Sequence, residues 1–139
     1  MLNGEHHINL LVRDLDAAVQ RYRQTQGVAD MIYGELSLRG VRTARFRVGA
    51  TWIVLVQPTD PDGVPGRHLA EHGEGLFLLS LEVDSLAAAV EDISARGGQF
   101  VSEQPRQGLE DWQVVDLDPE QFFGVQLQLV EEEAAPPEG

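Results

Sequence analysis

His7-Ile8-Asn9-Leu10-Leu11-Val12-Arg13-Asp14-Leu15-Asp16-Ala17-Ala18-Val19 and Leu78-Leu79-Ser80-Leu81-Glu82-Val83-Asp84-Ser85-Leu86-Ala87-Ala88-Ala89-Val90 are two copies of one pattern. In each, an apolar run rich in branched residues gives way to a polar step and then to Leu-x-Ala-Ala-Val or its near twin. The runs read as strands and the stretches after them as amphipathic helices. Leu15, Ala18, Val19 and Tyr22 share one helical face, as do Leu86, Ala89, Val90 and Ile93. Asp14 and Ser85 stand where helix N-caps belong, and Gly27 and Gly97 where helices stop. A repeat of this length decides the fold before any single residue does.

Working outward, the rest of each copy is strand-like. Ile32 to Leu38 and Val41 to Val48 flank the turn dipeptide Arg39-Gly40, and Thr51 to Gln57 follows Gly49-Ala50. In the second copy Gln99 to Val101, Trp112 to Leu117 and Val125 to Val130 take the same parts, so that Val54 falls opposite Gln128. Between the copies, Pro58 to Gly75 is a linker with turn chemistry at Thr59 to Gly63 and a short helix expected over Gly66 to Glu71. The reading is an α+β domain over residues 1–131, with βαβββ modules at 5–57 and 76–131, a linker at 58–75 and a disordered acidic tail at 132–139. Modules of this size do not bury enough surface alone, so two cupped sheets are expected to join as one mixed sheet around an enclosed cleft, helices on the outer face.

Composition narrows the function. The chain has 139 residues, 42% of them apolar, and a net charge of −13, with arginine supplying every basic side chain. So acidic a surface repels phosphate backbones and anionic lipid, which argues against nucleic-acid and membrane partners. No stretch has the apolar length of a spanning helix, and Met1 to Glu5 has neither a basic start nor an apolar run, so a cytoplasmic protein is expected. Without cysteine there is no disulfide, thiolate ligand or thiol nucleophile.

The pattern His-Ile-x-x-x-Val-x-Asp-Leu-x-x-Ala, from His7 to Ala18, resembles the opening of the vicinal-oxygen-chelate superfamily, which includes glyoxalase I, extradiol dioxygenases, fosfomycin-resistance enzymes, bleomycin-binding proteins and methylmalonyl-CoA epimerase. The run His68 to Leu76, the step Glu82-Val83-Asp84 and the ending Gly124 to Leu129 resemble the epimerase branch in particular, and the likeness spans residues 6 to 131. It implies a homodimer and a four-ligand metal site, normally two histidines and two of Glu or Gln. The matching positions here are His7, Val54, Leu78 and Gln128. Valine and leucine have no lone pair to offer, so the expectation is no metal and no other cofactor. The glutamate bases of the epimerase branch fall on Gln128 and near Thr43, neither of which takes up a proton at neutral pH.

If the family positions point into the cleft, alternation turns Asn9, Trp52, Val56, Ser80, Gln126 and Val130 the same way. Trp52 reads either as core or as a stacking face for a planar ligand. Arg39, Arg42, Arg45 and Arg47 read either as a solvated edge or, for Arg45 and Arg47, as a clamp for an anionic group. His6, His68 and His72 read as ordinary surface residues. Two functions stay open. One is a small-molecule binder using Trp52, Arg45, Arg47, Asn9, Ser80, Gln126 and Gln128. The other is an isomerase or lyase, metal-independent with His7 as its base, or with a displaced metal.

Overall fold

The structure, a computed structural model, describes residues 1–132; apart from Glu132, the acidic tail lies outside the described residues. The architecture is α+β, with eight strands and three helices among the described residues, in the order βαβββ, linker helix, βαβββ. Two compact units carry it, His6–Leu79 in one and Met1–Glu5 with the chain from Ser80 onward in the other.

In module one, β1 (Leu2–Leu11) leads into α1 (Leu15–Gln26), then β2 (Ile32–Leu36), β3 (Val41–Val48) and β4 (Thr51–Pro58). Asp14 caps α1, its Oδ1 accepting from the Ala17 N–H at 3.1 Å, and Gly27 ends the helix at φ 67. The sheet runs β2-β3-β4-β1. β1 and β4 are parallel, His7 opposite Trp52 and Asn9 opposite Val54, while β3 and β4 are antiparallel, Arg45 opposite Val54 and Arg47 opposite Trp52. Leu15 and Val19 of α1 bury against Ala44 and Leu55, with Leu10, Val12, Ala18, Tyr22 and Met31 around them.

Module two repeats the plan with β5 (Gly75–Val83), α3 (Leu86–Ala95), β6 (Arg106–Gln107), β7 (Gln113–Asp116) and β8 (Leu127–Glu131), ordered β5-β8-β7-β6. Ser85 Oγ accepts from the Ala88 N–H at 3.2 Å. The core is Val83, Leu86, Ala89, Val115, Leu117 and Leu129, with Ile93, Phe100 and Leu127 packed on it. One further bond is shared by the modules. The first N–H of each helix donates to a side chain at the end of its own module's last strand, Leu15 to Gln57 Oε1 and Leu86 to Glu131 Oε1, both at 2.8 Å.

The strand bounds depart from the expected ones where side chains compete for backbone groups. Gln99 to Val101 is no strand but a bridge, Phe100 to Leu117. The edge strand is instead β6, because the Gln104 N–H turns back to Ser102 Oγ at 3.2 Å and Pro105 has no N–H to pair. β8 starts at Leu127 rather than Val125, since a turn closed by the Gly124 N–H on Pro119 O at 2.9 Å holds the chain until then. β2 stops at Leu36 rather than Leu38, as the Gly40 N–H closes a turn on Leu36 O at 2.9 Å.

The linker forms α2 (Val64–His72), longer than the expected Gly66 to Glu71. Gly66 in its first turn is buried, and a Cβ there would collide with the Asp60 carbonyl oxygen and with Pro61 Cα, the latter at 2.9 Å. Both neighbours are backbone and cannot swing aside. Gly66→Ala is expected to cost about 1–3 kcal/mol in urea unfolding, the usual range for overpacking, despite alanine's better helix propensity.

Candidate functional site

Alternation separates the two faces of each sheet. In module one Ala44 packs toward α1, and the Phe46 ring sits 5.4 Å from that of Tyr22. Thr43, Arg45 and Arg47 therefore turn to the face away from α1. The strand registers bring Trp52, Val54, Val56, His7 and Asn9 to that face beside them. The guanidinium carbons of Arg45 and Arg47 lie 4.9 and 4.6 Å from the centre of the Trp52 ring. Both cations thus meet the negative face of an aromatic π system. Arg45 is only 4% exposed, so it is no part of a solvated edge, whereas Arg47 is exposed. Thr43 Oγ1 and Asn9 Oδ1 are buried with no hydrogen-bond partner. Trp52, read as either core or a stacking face, has two guanidinium groups against its ring.

His6 corrects an expectation. It is 3% exposed, and its Nδ1 lies 2.9 Å from Nδ1 of the equally buried His7. One of the two nitrogens carries the hydrogen and the other accepts it. The sequence showed no companion for His6 and so read it as a surface residue, but two adjacent rings can still turn toward each other. His68 is half-buried rather than on the surface, its ring 4.8 Å from Phe77 and 4.5 Å from His72. His72 is exposed, as expected.

In module two, Val115, Leu117 and Leu129 face α3, so Asp116, Gln128 and Ser80 turn away from it. Asp116 and Gln128 are cross-strand partners. Gln128 Nε2 donates to Asp116 Oδ1 at 3.0 Å, and Arg106 holds the same carboxylate with Nε on Oδ2 at 2.9 Å and Nη2 on Oδ1 at 3.2 Å. Gln128 Oε1 and Ser80 Oγ are buried without a hydrogen-bond partner. Gln126 is half-buried one residue before β8. Sequence reading missed Asp116 and Arg106, although an aspartate between Val115 and Leu117 in an expected strand was a signal that parity alone could have placed.

Val54 and Leu78, which the resemblance would set at ligand positions, are buried apolar side chains, 1% and 5% exposed. Among the described residues no three His, Asp or Glu side chains are grouped as metal ligands.

Residues 6–115 match the Glyoxalase/Bleomycin resistance protein/Dioxygenase superfamily. The chain belongs to this superfamily. A methylmalonyl-CoA epimerase in complex with methylmalonyl-CoA and NH4+ superposes with a TM-score of 0.91 at 30% identity, over 96% of this chain and 97% of that one. The epimerase of Mycobacterium tuberculosis gives a TM-score of 0.89 at 28% identity, over 97% and 90%. The mitochondrial epimerase of Mus musculus is 26% identical over 89% of this chain and 70% of its own. The superfamily likeness read from His7 to Ala18 therefore holds, as does its leaning toward the epimerases.

Burial, and next the charge of His72, hold His68 below its ordinary value of 6.5, with Glu71 pulling the other way. The unfolded chain then binds a proton at His68 that the folded chain takes up only at lower pH. The folded state is favoured above that window and loses stability as pH falls through it. His68→Gln should make the decline in urea-unfolding free energy between about pH 7.5 and 5.5 shallower than in the wild type.

Proposed function

We propose that this superfamily member binds a small, flat, anionic molecule on the module-one face turned away from α1, without metal chemistry. The observation that carries this reading is the Arg45–Trp52–Arg47 cluster, in which a guanidinium only 4% exposed lies 4.9 Å from an indole. Arginine stays charged at any physiological pH, and its planar fork matches a carboxylate or phosphate. In a chain of net charge −13, two such cations on one face of β3 are a local reversal of sign. The buried Thr43 hydroxyl beside them can add a hydrogen bond. The same chemistry suits a carboxylate such as that of methylmalonyl-CoA, the molecule held by an epimerase relative.

The metal half of the reading rests on donors. His7 and Gln128 are one imidazole and one neutral amide, while Val54 and Leu78 contribute nothing. Epimerisation by paired carboxylate bases lacks its bases at Thr43 and Gln128. The second reading, a metal-independent isomerase with His7 as base, is favoured by the burial of His7 against the His6 ring.

Calorimetric titration with benzoate, phenylacetate and methylmalonyl-CoA tests the proposal. Arg45→Met should weaken a bound anion about 10- to 100-fold, as expected for a charge-assisted contact shielded from water. Unchanged affinity in that variant would place the ligand elsewhere. Elemental analysis should find no stoichiometric Mn, Co, Ni or Zn, and one equivalent lost on His7→Ala would overturn the metal-free half. Isotope exchange at the acidic carbon of methylmalonyl-CoA, abolished by His7→Ala, would select the isomerase.

A further inference from the structure

A primary amide has a donor end and an acceptor end, and its surroundings choose which end faces where. At Gln128 the choice is forced. A carboxylate can only accept, and both Asp116 oxygens already take bonds from Arg106, at 2.9 and 3.2 Å. Gln128 must offer its NH2 group there, as it does at 3.0 Å. The opposite orientation would set a carbonyl oxygen against a carboxylate and bury two N–H donors elsewhere. With Nε2 committed, the end left over is Oε1, buried with no hydrogen-bond partner on a side chain only 3% exposed. Ser80, fully buried, also leaves its Oγ without one, and it too is turned away from α3.

We propose that Asp116, clamped by Arg106, is a positioning residue that makes Gln128 a dedicated acceptor, so that the module-two face takes an N–H or O–H donor, above all an ammonium or amine group, and rejects anionic oxygen. Gln128 sets this specificity and Asp116 acts through it. A glutamine free to flip would accept either kind of group. Here an anion would meet a carbonyl oxygen backed by a carboxylate, whereas a donor would meet the acceptor that lacks one. The net charge of −13 favours a cationic donor further. This inference rests on the chain being a ligand binder, but on residues other than those of the anion cluster.

The test is NMR on the full-length, 15N-labelled protein, with the Gln128 side-chain amide assigned by its loss in Gln128→Met. Ammonium chloride and tetramethylammonium chloride, of equal charge but with and without N–H donors, are titrated at constant ionic strength. Ammonium should shift the Gln128 amide saturably and tetramethylammonium should not. In Asp116→Asn, where asparagine can present either end to Gln128, half-saturation by ammonium should rise at least about five-fold. Equal shifts with both cations, or none with ammonium, overturn the proposal in the wild type alone, so a poorly folding variant does not spare it. A folded Asp116→Asn protein with the wild-type response removes the positioning role. Arg45→Met separates the two readings: it should weaken benzoate binding about 10- to 100-fold and keep the ammonium response, and loss of both would overturn the independence of the module-two acceptor.

Discussion

Each module depends on a tie between the first turn of its helix and the end of its own last strand. The Leu15 N–H reaches Gln57 and the Leu86 N–H reaches Glu131, both at 2.8 Å, while Asp14 and Ser85 cap the next free donors. The first N–H groups of a helix have no partner within it, so the chain must supply them. Supplying them from the last strand anchors the helix to the sheet it covers, and Glu131 adds a negative charge at the positive end of the helix dipole. Once the helix is anchored, the pleat assigns every other residue to one face or the other. Leu15, Val19, Ala44 and Leu55 meet under α1, while Thr43, Arg45 and Asn9 go to the far face together with Val54 and Val56.

Those far faces hold side chains whose burial costs free energy. A buried acceptor or hydroxyl left without a partner forfeits about 1–3 kcal/mol, and Asn9, Thr43, Ser80 and Gln128 each carry such an atom. All four sit on strands and none packs into the two hydrophobic clusters. Unmet polar groups gathered away from the core are the physical basis for reading these faces as binding surfaces. The superfamily likeness bears on ancestry and fold.

The sequence by itself determined the repeat, the two capped helices and the α+β class, because each rests on local periodicity and local capping. His7, Asn9, Arg45, Arg47 and Trp52 could also be assigned to one face from parity, since a strand's alternation is fixed once one residue is placed. The short elements were beyond its reach. β6 and the late start of β8 follow from turns in which Ser102, Pro105 and Gly124 compete with the ladder, and such competition is settled by a few hydrogen bonds. Only the tertiary structure decided that Arg45 is buried against Trp52, that His6 turns inward to His7, and that Asp116 and Arg106 hold the Gln128 amide. Each of these joins side chains across a strand pair or between neighbours in one strand, where distance and rotamer matter more than residue type. A sequence records which groups are present, but which end of an amide faces a ligand depends on what has already taken the other end.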